Sequence, residues 1–388
     1  MIKLAERMSR LGTETAFEVL AKAKALEAQG KEIIHLEIGE PDFDTPRNVI
    51  DATIKAMQSS QTHYSPAAGV PALRKILAED MSKRRNIKIE PNQVVVTPGG
   101  KPIMFFTILA LVNESDEVMY PNPGFPIYES VIDFVGAKSV PYQLREEKEF
   151  RFDVEELLSL ITDKTKLIIL NSPQNPTGGI LTKEDLEVVA KVALEKDIYI
   201  LSDEIYINII YEGEHQTIAA IPGMQERTII LDGFSKTYAM TGWRLGYGAM
   251  PQDLAEKVTQ LQINSNSCTC TFAQYGAMEA ITGQQDDVVH MVSEFKKRRD
   301  VIVDGLNRIE GISCLRPHGA FYVFPNVKEL GMDGKEFSNF LLEKYGVAAL
   351  SGTAFGKYGD GYLRFSYANS VKNIEKALDR IEQAVKAI

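Results

Sequence analysis

The chain has 388 residues, of which 44% are hydrophobic and 25% charged, and its formal net charge is -10. Single cores stop growing at roughly 250–300 residues, so this length predicts two packed lobes. The ordinary composition argues against a disordered or fibrous protein, and the acidic balance argues against a sequence-independent grip on nucleic acid or an anionic membrane.

From the amino terminus, Met1 to Arg10 mixes charged with apolar residues and lacks the continuous apolar stretch of a secretory signal. Apolar residues at three- and four-residue spacing predict helices over Thr15 to Gln29, Ala72 to Arg84, Lys183 to Lys196, Asp286 to Ile309 and Val371 to Ile388. Between them, Val94 to Val96, Glu117 to Tyr120, Leu167 to Leu170, Ile198 to Ser202, Thr228 to Leu231 and Leu245 to Ala249 predict strands buried on both faces. The longest nearly apolar run, Ile103 to Val112, is about half the roughly 20 residues of a membrane span and reads as a buried helix. The alternation predicts an α/β protein. No internal repeat or low-complexity linker interrupts it, so the second lobe is expected to form from both chain ends beside the central sheet.

Several chemistries are disfavoured. The histidines at 35, 63, 215, 290 and 318 form no metal-binding pair at helical spacing and read as structural or surface residues. Cys268, Cys270 and Cys314 have neither zinc-ribbon nor thioredoxin spacing and read as reduced, buried residues of a cytosolic protein. Gly246-Tyr247-Gly248 lacks the third glycine of a dinucleotide fingerprint, and there is no phosphate-binding GxxxxGK[ST]. In Gly233-Phe234-Ser235-Lys236-Thr237, a threonine replaces the second glycine of a hydrolase elbow, which argues against acyl transfer by Ser235.

In an α/β sheet, functional groups collect where the carboxyl ends of strands meet loops. There the sequence turns polar: Thr97-Pro98-Gly99-Gly100-Lys101-Pro102, Asn171-Ser172-Pro173-Gln174-Asn175-Pro176-Thr177-Gly178, Ser202-Asp203-Glu204-Ile205-Tyr206 and Asp232-Gly233-Phe234-Ser235-Lys236. Gly99-Gly100-Lys101-Pro102 leads into a helix whose free N–H groups and dipole suit an anion, although alone it reads as a plain strand-to-helix turn. Likewise, Asp203 alone reads more as a helix cap than as a catalytic acid.

Taken together with Gly39-Glu40-Pro41-Asp42-Phe43, Tyr64, Gly69, Leu73-Arg74, the segment from Gly233 to Gly248 and Tyr362-Leu363-Arg364-Phe365-Ser366, these motifs run along nearly the whole chain. The set resembles the class I aminotransferases of the pyridoxal-phosphate aspartate aminotransferase superfamily. That resemblance implies a three-layer α/β/α large domain with a mostly parallel sheet and a smaller α+β domain. The expected division is residues 1–45 as an arm and part of the small domain, 46–285 as the cofactor-binding domain, and 286–388 as the rest of the small domain.

The resemblance also implies roles. Lys236 would carry pyridoxal phosphate as a Schiff base and then serve as the proton-transfer base. Asp203 would bond the pyridine nitrogen, and Tyr206 and Asn175 the phenolic oxygen. Gly99, Gly100, Lys101, Ser235 and Arg244 would hold the phosphate, with Phe125 stacked on the ring where aspartate-specific relatives often carry tryptophan. Many relatives place a serine where this chain has Gly233, so one expected phosphate donor is missing.

Arg364, with Asn175 and Gly39, would clamp the substrate α-carboxylate. Tyr64 would reach the cofactor of a neighbouring subunit in a homodimer. The implied reaction is ping-pong transamination between an L-amino acid and a 2-oxo acid, with no metal, and a carbon–sulfur β-lyase on the same scaffold is the alternative. A non-catalytic regulator would need a helix-turn-helix domain, for which the stretch before Gly39 leaves too little room. A purely structural protein would bind no cofactor.

Overall fold

The computed structural model describes residues 2–388. The strands are β1 (Ile34–His35), β2 (Val94–Thr97), β3 (Glu117–Asn122), β4 (Lys138–Arg145), β5 (Arg151–Phe152), β6 (Thr165–Asn171), β7 (Tyr199–Asp203), β8 (Thr228–Gly233), β9 (Gly246–Ala249), β10 (Tyr322–Val323), β11 (Val347–Ala348), β12 (Leu350–Ser351) and β13 (Leu363–Ser366). The helices are α1 (Ala16–Glu27), α2 (Arg47–Gln58), α3 (Pro71–Arg85), α4 (Lys101–Leu111), α5 (Ile127–Val135), α6 (Val154–Ser159), α7 (Lys183–Lys196), α8 (Phe234–Thr237), α9 (Gln252–Asn266), α10 (Thr271–Thr282), α11 (Asp286–Leu306), α12 (Gly334–Phe340) and α13 (Val371–Val385).

An eight-stranded sheet in the order β2-β9-β8-β7-β6-β3-β4-β5 forms the centre. Pairing is parallel from β8 through β7, β6 and β3 to β4, whereas β9 is antiparallel to both its neighbours and β5 is antiparallel to β4. Side chains alternate faces along each strand. In β6, Leu167 and Ile169 pack with Ile103, Ile108 and Val258 from α4 and α9, while Ile168 and Leu170 pack with Leu186, Val189 and Ala193 from α7. Each such buried Leu, Ile or Val side chain contributes roughly 1.5–3 kcal/mol. The result is helix, sheet, helix.

A second core joins the two ends of the chain. β1 pairs in parallel with β11, and β13 lies between β10 and β12. Ile34 and Leu36 pack among Phe295 and Val303 of α11, Tyr322 and Phe365 of the small sheet, and Ile374 and Ile381 of α13.

The predicted strands are present, five with slightly longer carboxyl ends and β9 ending at Ala249 as expected, and Lys183–Lys196 has its predicted bounds. Two expectations are corrected. α4 is buried at Ile103, Met104 and Ile108, but Leu109 is 39% exposed, because only one flank of the helix meets the sheet. Of the three cysteines, Cys314 is buried while Cys270 at the start of α10 is exposed. β4 went unread: it alternates buried Val140, Tyr142 and Leu144 with half-buried residues, and Pro141 within it disguises the pattern. Among the described residues, no helix is long and apolar enough to cross a membrane.

Candidate active site

Strand direction assembles the site. β2, β3, β6, β7 and β8 deliver Thr97, Asn122, Asn171, Asp203 and Gly233 to one edge of the sheet. β9 runs the opposite way and so begins at that edge, with Gly246 opposite both Thr97 and Gly233. That start brings Arg244 back to the loop after β2. A cavity of about 560 Å³ opens here, lined by Asp203, Tyr206, Ser235, Lys236, Arg244 and Arg364. Gly39, Gly100, Lys101, Phe125 and Asn175 also line it, whereas the predicted Gly99 does not.

Lys236 sits on the short α8 directly after β8. Its Nζ lies 5.8 Å from the centre of the Phe321 ring. Burial pulls the amine down to a pKa of about 8, against the opposing pull of Glu40. An amine so placed is neutral in a useful fraction of molecules near neutrality.

Asp203 ends β7, and a turn rather than the expected helix follows it. Its Oδ1 accepts from the Ile205 backbone N–H at 3.2 Å, as a turn-capping acid would, and its Oδ2 accepts from the Tyr128 hydroxyl at 2.6 Å while lining the cavity. Burial raises its pKa to about 6, with the Tyr128 bond working in the other direction. Tyr206 shares a 2.7 Å hydrogen bond with the Tyr322 hydroxyl, and burial together with Tyr322 pushes its pKa well up.

Arg364 is 4% exposed and lies between two rings, 4.6 Å from the centre of Tyr322 and 4.8 Å from that of Phe355. Its Nη1 donates to Asn175 Oδ1 at 3.1 Å and its Nη2 to the Glu37 carbonyl. Its Nε is buried without a partner. Gly39 lines the cavity and its carbonyl accepts from Lys236, while the Glu37 carbonyl is the backbone acceptor for Arg364.

At the other end of the cavity, Gly99 adopts φ +92°, and a Cβ there would come within 2.5 Å of Arg244 Nη2. Glycine is therefore required for Arg244 to lie over this turn. Arg244 is exposed and its Nη1 donates to the Thr241 carbonyl at 2.7 Å. Gly100 and Lys101 open α4, where the first N–H groups have no partner within the helix. A Cβ at Gly233 would meet Ile205 Cδ1 at 3.0 Å and Gly246 Cα at 3.3 Å, so a serine there would require these neighbours to shift by a few tenths of an ångström.

Tyr64, in the loop between α2 and α3, is 90% exposed and does not line the cavity. Among the lining residues that escaped the sequence reading are Glu14, Tyr128, Tyr322 and Phe355. Tyr322 had a signal, the run Phe321-Tyr322-Val323-Phe324 after Gly319-Ala320, which resembles an ordinary buried strand. Glu14 had none; only folding brings its carboxylate onto Lys101 Nζ, which is also 5.4 Å from the centre of the Phe125 ring.

The profile of the family "Aminotransferase class I and II" matches residues 31–381. The chain is 42% identical over 360 residues to an aspartate aminotransferase of Pyrococcus abyssi, covering 92% of each protein. It is 41% identical over 364 residues to aromatic-amino-acid aminotransferase 2 of Thermococcus litoralis, covering 92% of this chain and 93% of that one. The solved aspartate aminotransferase of Thermus thermophilus with maleate superposes with a TM-score of 0.95 at 36% identity, covering 99% of this chain and 100% of that one. These likenesses disfavour the carbon–sulfur lyase alternative. On this agreement of site, fold and sequence, the chain belongs to the class I and II aminotransferases and is a pyridoxal-phosphate-dependent transaminase.

Proposed function

We propose that this cavity exchanges the amino group of an L-amino acid with a 2-oxo acid in two half-reactions, with Lys236 as both cofactor anchor and proton carrier. The carrying observation is that a lysine amine with its pKa lowered to about 8 and a buried guanidinium lying between two rings line one cavity. The donor set fits pyridoxal phosphate. The Gly99 turn, the start of α4, Ser235 and Arg244 suit a phosphate dianion, and a Cβ at Gly99 would fill part of that cradle. Asp203 suits a protonated ring nitrogen, Tyr206 and Asn175 a phenolic oxygen, and Phe125 a ring face. When bound, the cofactor supplies the carbonyl that takes up nitrogen and the ring that draws electrons from the substrate α-carbon.

The chain's own residues do the remaining work. Arg364 holds the α-carboxylate through its fork, and its unpartnered buried Nε supports a ligand that completes its bonding. That clamp sets the Cα–H bond across the ring plane, which contributes to rate as well as affinity. Lys236 Nζ, once free, takes the proton from Cα and returns it to the carbon receiving nitrogen. Asp203, kept anionic, holds the proton on the ring nitrogen.

Tyr64 is read as reaching a neighbouring subunit's cofactor phosphate, which its 90% exposure supports. The working form is then a homodimer with shared sites, residing in the cytoplasm. Within each subunit, residues 46–285 are read as the cofactor domain, with 1–45 and 286–388 contributing the arm and small domain.

Two measurements test this reading. A panel of amino acids mixed with the enzyme should convert the bound cofactor to its amine form without added oxo acid, and failure with every amino acid would refute transamination at this site. Mixing Tyr64→Ala with Lys236→Ala subunits should regain activity that neither has alone, since one site of the mixed dimer is intact; no regain would refute sharing.

A further inference from the structure

Beneath the cavity lies a buried ion-pair network that the reaction does not touch. Arg85, the last residue of α3, has a fully buried side chain. Its Nε donates to Glu204 Oε2 at 2.6 Å and its Nη2 to Asp232 Oδ2 at 2.9 Å. Both carboxylates are 1% exposed in their side chains. Glu204 directly follows Asp203, while Asp232 follows Leu231, the β8 partner of Asp203. Lys83, Arg84 and Arg85 form the basic last turn of α3, where cations complement the helix dipole. The structure buries one of these cations against the two strands that carry the reacting groups.

We propose that Arg85 is a positioning residue for this transamination: by neutralising Glu204 and Asp232 it keeps Asp203 anionic at the cofactor ring. The proposal rests on the reading of Asp203 given above. Geometry and charge carry it. Two anions beside a third disfavour its ionisation, and a fixed cation between them cancels that effect. Burial, then Asp232 and Glu204, raise Asp203, while burial of Glu204 is outweighed by Arg85 and His215, which hold Glu204 far below the carboxylate range.

The groups facing Asp203 can be followed element by element. Tyr128 approaches from α5, Asn171 of β6 donates to the Asp203 backbone carbonyl and not to its carboxylate, Tyr206 follows three residues on, and Lys236 lines the cavity from α8. Behind Glu204 stand Ser202, Thr217 and His215, the last at 3.1 Å. Behind Asp232 stands Arg84, which contacts it at 3.1 Å and also pairs with Asp80. Arg85 is the cation that touches both carboxylates.

The test follows how much cofactor the holoenzyme retains after gel filtration across pH, alongside kcat/KM. With Arg85→Met, the pH of half-retention and the acid limb of kcat/KM should both move up by about one unit or more, since removing the cation leaves two like charges beside Asp203. Arg85→Lys should bring both back towards the parent. A half-retention pH that does not move, or a uniform loss at every pH, would overturn the proposal in favour of a merely structural role. If Arg85→Met does not fold, Glu204→Gln supplies the opposite sign: both midpoints should fall, and an unmoved or raised midpoint overturns the idea. Asp203→Asn separates the two layers, because retention in that variant that still follows the parent's pH curve would sink the reading of Asp203 itself.

Discussion

The amine of Lys236 donates to the carbonyl oxygen of Gly39 at 2.5 Å, joining positions 197 residues apart in the chain. A neutral amine can make this bond and keep its lone pair for chemistry. Because the pKa is lowered to about 8, reloading of cofactor-stripped protein should speed up by about tenfold per pH unit below 8 and level off above it. Stopped-flow absorbance measures this, and a rate flat from pH 6 to about 8 would contradict it. Lys236→Ala should retain cofactor non-covalently but lose at least about a thousandfold in turnover, since anchor and proton carrier go together.

Asp203 predicts a trade of stability for function. Its folded pKa of about 6 lies above the ordinary value of 3.8, so the folded state binds an extra proton between these limits. Stability therefore falls as pH rises through that window, and the cost is fully present above about pH 6. Asp203→Asn should stabilise the cofactor-free protein at pH 7.5 by about 1–3 kcal/mol while reducing transamination by at least about a hundredfold. Denaturant melts at pH 7.5 and pH 4 check this, because the gain should vanish at the lower pH.

For Arg364→Ala, kcat/KM towards α-amino acids should fall by about a hundredfold or more, reflecting charge-assisted hydrogen bonds of roughly 1.5–3 kcal/mol each. Towards an amine without a carboxylate, the loss should be small. Arg364→Lys should recover little, because a point charge cannot reproduce a fork held between Tyr322 and Phe355. Steady-state kinetics with both substrate types decide the matter, and equal losses would refute the clamp.

Glu14 and Lys101 form a partly exposed ion pair at the cavity wall, with side-chain exposures of 18% and 49%. Such pairs are worth up to about 1 kcal/mol, so substrate can compete with Glu14 for the ammonium group. Glu14→Gln should raise kcat/KM for dicarboxylic amino acids by about threefold to fivefold relative to neutral ones. A substrate panel reads the ratio directly, and an unchanged ratio would show that Lys101 does not meet the side chain.

Much of this protein was legible because its strands are short, apolar and buried on both faces, so Val94, Ile168 and Ile230 announce themselves without periodicity. α5 was not legible: Ile127, Val131, Ile132 and Val135 suit a strand as well as a helix, and its packing on α4 decides between them. Lys236, Asp203, Asn175 and Arg364 could be read because each sits in a local motif whose order along the chain carries information.

The sequence by itself determined which residue types gather at the strand ends, since local turns, glycines and apolar runs encode that edge. Only the tertiary structure decided their electrical state and partners. Tyr128 on Asp203, Tyr322 on Tyr206, Glu14 on Lys101 and Arg85 between two carboxylates are all contacts between distant segments. A pKa depends on burial and on charges a few ångströms away, and neither is a property of neighbours in sequence. For Lys236 that difference is the shift from an ordinary lysine to an amine titrating near 8.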